Sequence, residues 1–494
     1  MRVPTGVGRR LAPLSLIFCS AMAFGCDGLA AGQPLWVRLS APVSSYSSKV
    51  GSPVEAVLTE PVLCDGAVGL PAGTKIDGVV HSVRKVGWGI RHETSALGLQ
   101  FTRALPPEGP PLEMSAAVVE VENAREQVSK GVIQGIRSSD TPQGRINSRL
   151  RHLPTWNPYS DAGLIVFKAA FPIFPEPEIY YPAGTDLRLK LTQPIAWFSP
   201  SSDALTEGAA NETQDVEFAS LVQSLPRRST TLKLVDADIV NLVFVGSREQ
   251  VQSAFQQAGW NTSDPQSKRA YMRNFYAVLN NSGYAQEPMR PFLLNGQLAD
   301  MNWQKSLNSY SRRDHLRIWQ WPDPVDGETV WLSSSTHDAQ AALSLKRHQF
   351  VHHITPNIDE ERSKVIRDLT VAGCVRSVHL VPRPGFGGVT LNATGDTVIT
   401  DGAVAFVELK SCQPIVPSLE SMPATANYKP GNHAFRYLRR QILTFRSDIW
   451  RANIIYGIYD LGRMSVQAMR HHSALATERA AYANLSSPQP EGSK

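Results

Sequence analysis

Cysteine is scarce in this chain, five among 494 residues. Cys19 and Cys26 fall near the amino terminus, which leaves Cys64, Cys374 and Cys412 for the body. That is too few for a disulfide framework, and no CxxC pair offers a metal knuckle. HExxH is missing as well, and Ser247 does not sit in a GxSxG elbow. The glycine run Pro384-Gly-Phe-Gly-Gly lacks both the lysine and the following helix that a phosphate cradle requires. Charge of one sign is also in short supply: 49 Lys and Arg against 44 Asp and Glu give a net +5. This is too dilute for a general polyanion binder and excludes nucleic acid as a partner. Long apolar runs are missing too, since Leu11 to Gly25 falls short of the ~20 residues that cross a bilayer and is broken by Pro13 and Ser15.

What is present is a globular composition, 42% apolar and 19% charged. At about 100–200 residues per domain the length implies two or three domains. Arg2, Arg9 and Arg10 precede the apolar run, and small residues follow around Ala30 and Ala31, so residues 1–31 read as a secretory signal peptide and the protein as exported. Two processing readings stay open. Ala23-Phe24-Gly25-Cys26 has the form of a lipoprotein box that would leave Cys26 lipidated, and an ordinary cut near Ala31 is the alternative.

Residues 35–199 alternate short β-rich runs with Gly and Pro punctuation, as in Val54 to Leu58, Ile76 to Val83, Leu97 to Phe101 and Ala116 to Val121. This predicts an all-β barrel or sandwich. Leu70-Pro-Ala-Gly-Thr recurs as Tyr181-Pro-Ala-Gly-Thr, each copy a turn that launches a strand. With Gly-Ser-Pro-Val-Glu-Ala-Val-Leu and Leu-Gly-Leu-Gln-Phe, these phrases resemble the outer-membrane-proximal β-barrel of TrbI-type secretion scaffolds. The resemblance implies a barrel platform and not a pore.

Residues 200–229 read as a linker with one short helix. From 230 to 413 the pattern is α+β with a mixed sheet. Asp238 to Val245 is a strand, and Ser247 with Gln250 is a capping box opening a helix that ends at Gly259. Asp314 to Trp319 and Thr329 to Ser334 are strands, Asn357 to Ala372 is a helix with three acids in its first turn, and Thr397 to Leu409 is a hairpin turning at Asp401-Gly402. The phrases VNLVFVGSREQVQSAFQQAGW, RRDHLRIWQW and FVHHITPNID resemble the LssY C-terminal domain, a bacterial envelope family whose members are joined to membrane or lipid-phosphatase modules. That resemblance implies an accessory or secretion-associated envelope role, periplasmic or membrane-associated.

In residues 414–494, Phe435, Leu438, Ile442, Phe445, Ile449, Ala452, Tyr456 and Tyr459 alternate spacings of three and four on one helical face. Arg436, Arg439, Arg440, Arg446 and Arg451 flank them. Three uses are open for such a basic amphipathic tail: packing on its own domain, self-association, or contact with an anionic membrane surface.

The candidate site follows from strand alternation. His315, Arg317 and Trp319 share one side of their strand, a binding surface for an envelope protein or lipid. His348, Phe350 and His352 share a side of a later run. Three readings compete: a structural hydrogen-bond network, an anion held by Arg317 and the imidazoles, or a divalent metal such as zinc held by His315, His337, His352 and Asp359. The last would make the protein a metal-assisted hydrolase of an envelope lipid or phosphoester. Cys374 and Cys412 bracket the last strands of the domain and are the better pair for a disulfide, with three free or buried thiols as the alternative.

Overall fold

The computed structural model describes residues 28–137 apart from 65, 66 and 90, then 176–196, 212–344 and 349–413, with isolated positions in 141–166 and 434–470. The signal segment with Cys26, His348, and most of residues 414–494 lie outside the described residues.

Six strands close a barrel. Pro34–Leu39 pairs with Pro53–Leu58, that strand with Lys75–Arg84, and the next with Ala96–Leu105. Leu112–Val121 and Asp186–Leu191 complete the circuit back to Pro34–Leu39, every pairing antiparallel. Alternation decides what fills it. Leu35, Val37 and Leu39 face inward along one strand and Leu187, Leu189 and Leu191 along its neighbour. Each such burial contributes about 1.5–3 kcal/mol. The repeated Pro-Ala-Gly-Thr turns are superimposable in their bonding. Gly73 and Gly184 both adopt φ 86°, a left-handed conformation suited to glycine at the third position of a type II turn. Each donates its N–H across to the barrel strand that neighbours the one it launches, Gly73 to Leu58 and Gly184 to Leu39, at 2.8 Å.

The second domain is built on a mixed sheet. Its order runs Asn261–Thr262, Met301–Lys305, Arg313–Val325, Glu328–Ser344, Leu242–Val245, Val404–Leu409, Val375–Val381, with Gln349–Ile354 on the far half of Glu328–Ser344. Only Leu242–Val245 against Val404–Leu409 is parallel among these pairings. The helices Arg248–Gln257 and Ile358–Val371 cover one face, where Val251, Phe255, Val365 and Leu369 meet Trp303, Leu316 and Ile318. The capping box at Ser247 and Gln250 is formed, and Asn357 caps the second helix. The other face packs Trp319, Leu332 and Phe406 against Phe218 and Val222 of the helix Glu212–Ser224.

Three sequence expectations change here. The expected linker gives up its carboxyl half, because Phe218, Val222 and Leu225 are buried in the second domain's core. Thr397–Thr400 and Val404–Leu409 do not pair with each other. The first pairs with Gly388–Leu391 and the second with Leu242–Val245, so Asp401-Gly402 is a corner between two sheets. In the tail, Leu438 and Ile442 of the expected apolar face are exposed, while Arg439 and Leu443 are buried. Arg439 is an anchor on the barrel, pairing with Glu176 at 2.6 Å and donating to the carbonyl of Gly87 at 2.7 Å. A charged partner at Glu176 outweighed the apolar periodicity.

Cys374 and Cys412 are joined in a disulfide that ties the end of the Ile358–Val371 helix to the end of Val404–Leu409. Cys64 is also disulfide-bonded. No helix among the described residues is long and apolar enough to cross a membrane.

Candidate functional site

The strand Arg313–Val325 pairs with Glu328–Ser344 so that Arg313 lies opposite Asp338, His315 opposite Thr336 and Arg317 opposite Ser334. All six therefore share one face. That face forms the floor of a cavity of about 410 Å³. Glu287, Arg290 and His352 wall it, Tyr271 and Phe275 of the helix Lys268–Asn280 stand at its side, and Asn392 and Thr394 reach in from the Gly388–Thr400 hairpin. Arg313 donates to Asp338 at 2.9 Å and to Gln304 at 2.9 Å, and pairs with Glu287 at 3.0 Å. Arg317 donates to Asp238 at 2.9 Å and to the carbonyl of Arg290 at 3.1 Å, with its guanidinium 4.1 Å from the ring centre of Phe292.

The imidazoles are less satisfied. His315 Nε2 meets Thr336 Oγ1 at 3.0 Å, but the Nδ1 atoms of His315 and His352 are buried without a hydrogen bond. Both point toward one oxygen of Asp338, at 3.6 and 3.4 Å, which is too long for a good bond. Burial pushes His315 down to about 3, so its ring is neutral at physiological pH. Burial alone would raise the Asp338 carboxyl, yet the cationic environment of His315, His352 and Arg313 holds it below its usual range. Because His315 stays neutral, Arg313 carries much of that effect near pH 7. Chemically the cavity offers guanidinium and imidazole donors, carboxylate acceptors and aromatic walls, the mixture that orients a small ligand.

Of the residues expected at this surface, His315 and Arg317 line the cavity and Trp319 does not. The Trp319 ring is buried in the core, its indole N–H donating to the Gln297 carbonyl at 3.2 Å. The expected metal set also separates. His352 joins His315 around Asp338, while His337, opposite Asp314 in the register, projects from the other face. Asp359 is occupied at its helix start, accepting the N–H of Asp401 at 2.6 Å and the hydroxyl of Thr400 at 2.9 Å. Strand alternation forbids the four from converging on one ion, which removes the ligand set of the hydrolase reading. Arg313, Glu287, Asp338 and Asp238 were not anticipated. Arg313 and Asp338 continue the alternation by one residue pair, so that signal was available, whereas Glu287 and Asp238 arrive from loops and a strand end whose placement only tertiary structure sets.

The opposite face holds a second charged cluster, at the seam with the barrel. Arg38 and Asp186 of the barrel meet Lys305, Lys364 and Asp368 of the second domain. Arg38 pairs with Asp186 at 2.7 Å and Asp368 at 2.8 Å, and Lys305 bridges the same two carboxylates at 2.8 and 3.0 Å. Lys364 reaches Glu122 at 2.8 Å, and the Trp260 indole donates to Asp368 at 2.9 Å. Here Asp314, His337 and Glu361 each bring one ligand-type atom within 4.8 Å of the others. Two contacts argue for a hydrogen-bonded cluster instead of an ion. His337 Nδ1 lies 2.6 Å from Asp314, a direct hydrogen bond, and the Lys364 ammonium is 3.9 Å from the same carboxylate. Glu361, pushed up by burial and by the charge of Asp314, is held toward its neutral acid form.

Fold and site together define a small closed β-barrel fixed to an α+β domain with a polar, aromatic-sided cavity. Residues 222–404 match the family described as the LssY C-terminus. The match spans less than half of the chain and coincides with the second domain. Among solved structures, ComB10 of the Com type IV secretion system of Helicobacter pylori aligns at 13% identity, covering 36% of this chain and 94% of that chain, with a TM-score of 0.22. So low a score carries no argument about this chain. No curated protein matches the sequence.

Proposed function

We propose that this is an exported cell-envelope binding protein, an accessory component whose LssY-like domain takes up a small envelope ligand with an anionic group. The observation that supports this reading is the cavity itself. It is open and about 410 Å³ in volume, and its wall includes Arg290, exposed and with no ion pair among the described residues, and His352, whose Nδ1 is buried without a hydrogen bond while its Nε2 lies 3.4 Å from Glu287. A guanidinium and an imidazole donor suit paired oxygens such as a phosphate or carboxylate. The test is calorimetric titration of the full chain with glycerol phosphate. Binding to the native protein that falls at least tenfold in Arg290→Ala and His352→Ala, with unchanged melting temperatures, is the expected result; heats indistinguishable from dilution would end the proposal.

Export rests on the amino-terminal pattern, and the barrel adds a constraint on processing. Gly28–Leu29 pairs with Ile195–Ala196, and Leu29 is buried in the barrel core. A cut near Ala31 would remove a packed strand, whereas a mature chain beginning at Cys26 would keep it. Mass spectrometry of the mature amino terminus should therefore find a start upstream of Gly28, and will show whether Cys26 carries lipid or a disulfide. A start at or after residue 31 would refute this placement.

A further inference from the structure

The helix Lys268–Asn280 is anchored by one narrow stripe. Ala270, Ala277 and Val278 are buried, while Tyr271, Met272, Phe275 and Tyr276 are 65, 52, 51 and 43% exposed. Four large apolar or aromatic side chains on thirteen residues make a concentrated exposed patch, the kind that soluble surfaces avoid unless it is used. Lys268 and Arg269 are exposed in its first turn, and Arg273 lies among the aromatics, paired with Asp264 at 3.1 Å and close to Tyr284. Phe275 and Tyr276 touch, their ring centres 6.1 Å apart, so they present one continuous surface. Ser267 caps the helix through the N–H of Ala270 at 3.1 Å, which fixes the helix independently of the exposed side chains.

Position gives this patch a meaning. Tyr271, Asn274 and Phe275 also line the cavity, which places the aromatic and basic surface at the entrance to the His352 and Arg290 wall. Aromatic rings among lysine and arginine are what an interfacial helix presents to a bilayer: rings lie at the level of the headgroups while the cations meet anionic lipid, at roughly 1 kcal/mol for each basic residue near the surface.

We propose that the exposed face of Lys268–Asn280 docks the domain on an anionic phospholipid surface, with the cavity mouth turned toward the headgroups. This rests on the cavity reading for its second half: the group entering the cavity is then the phosphate of a membrane lipid. The sequence pattern had pointed for membrane contact to the tail instead, and the two helices make separable claims.

The experiment is flotation of the full chain with vesicles of phosphatidylcholine alone and of phosphatidylcholine with phosphatidylglycerol. Native protein is expected to float with the anionic vesicles and to be released by salt. The double variant Tyr271→Ser/Phe275→Ser, at exposed positions, should lose at least tenfold in bound fraction with an unaltered melting temperature. Lys268→Glu/Arg269→Glu should lose the preference for anionic over neutral vesicles. Flotation that both variants retain, or its absence in native protein, overturns the docking surface. His352→Ala separates the two claims, since it is expected to float normally. Loss of glycerol phosphate binding with intact flotation leaves the docking surface standing, and flotation lost with glycerol phosphate binding intact leaves the cavity standing.

Discussion

The two faces of the strand pair Arg313–Val325 and Glu328–Ser344 are both charged, both buried and only a strand's thickness apart, yet they do opposite things. On one face Arg38, Lys305 and Lys364 bridge Asp186 and Asp368 across the domain boundary, beside a smaller cavity of about 220 Å³ that Arg38, Asp186 and Lys305 line. On the other Arg313, His315 and Arg317 floor an open cavity and leave imidazole nitrogens without hydrogen bonds. Displaced pKa values occur on both. Perturbed ionisation therefore does not distinguish glue from site in this molecule, and the larger open space beside unbonded imidazole nitrogens does.

The sharpest way to break the comparison is to remove a seam carboxylate. Asp368 accepts from Arg38, Lys305, Lys364 and the Trp260 indole. Asp368→Ala leaves three cations under-compensated and an indole donor unpaired, and should cost about 3–5 kcal/mol, as breaking a buried pair does. Urea unfolding followed by fluorescence measures it. His352→Ala on the cavity face should cost about 1 kcal/mol or less, because its contacts with Asp338 and Glu287 are both long, at 3.4 Å, and it lies at an open wall. Equal losses at the two positions would erase the distinction between the faces.

Acid separates the faces by sign. On the cavity side His315 is held near 3 in the folded protein against an ordinary value of 6.5, so below pH 6.5 the unfolded chain takes up a proton that the folded chain refuses. Stability is lost as pH falls from 6.5 toward 3, by up to about 1.4 kcal/mol per pH unit for one such group. On the seam side burial would lower His337, but its hydrogen bond to Asp314 and the charge of that carboxylate outweigh burial and raise it. Its contribution is complete below pH 6.5 and disappears as pH rises through the folded value. Unfolding curves between pH 4 and 8 should show His315→Gln flattening the acid slope and His337→Gln steepening it. Slopes moving together would mean that the two rings share one environment.

Much of this architecture could be read from residues alone, and the limits have a physical cause. Period-two alternation gave the barrel strands and put His315 and Arg317 on one side, because alternation is a property of a single strand. The Ser247 capping box and the twin Pro-Ala-Gly-Thr turns were legible for the same reason, being local bonds. What failed was partnership. Trp319 obeys the alternation but sits where the backbone at Gln297 and the Glu212–Ser224 helix close over the strand, and nothing within RRDHLRIWQW marks where that cover begins. Asp401-Gly402 makes a turn, yet whether a turn returns to its own strand or crosses to another sheet depends on the parallel register with Leu242–Val245. The seam was invisible because Arg38, Asp186 and Asp368 are separated by well over a hundred residues, and no spacing rule links them.

The smallest expected effect has the opposite sign and extends the same contrast to a third place. Arg383, at 3% exposure, has none of its side-chain nitrogens hydrogen-bonded, and its guanidinium lies 5.4 Å from the ring centre of Phe386, which Arg227 approaches to 5.3 Å. Burial and the neighbouring Arg227 charge bring Arg383 down to about 10, so it remains a cation at neutral pH. Seam cations are buried with carboxylates; this one is buried with another cation and an aromatic ring. Replacing a paired cation leaves an orphan, but replacing an orphan removes a desolvation penalty. Arg383→Met keeps the aliphatic stem over Phe386 and should raise stability by about 1 kcal/mol in the same urea assay, where Lys305→Met at the seam lowers it. A loss of stability in Arg383→Met would show that the guanidinium has a partner in solution, and would place this corner with the seam.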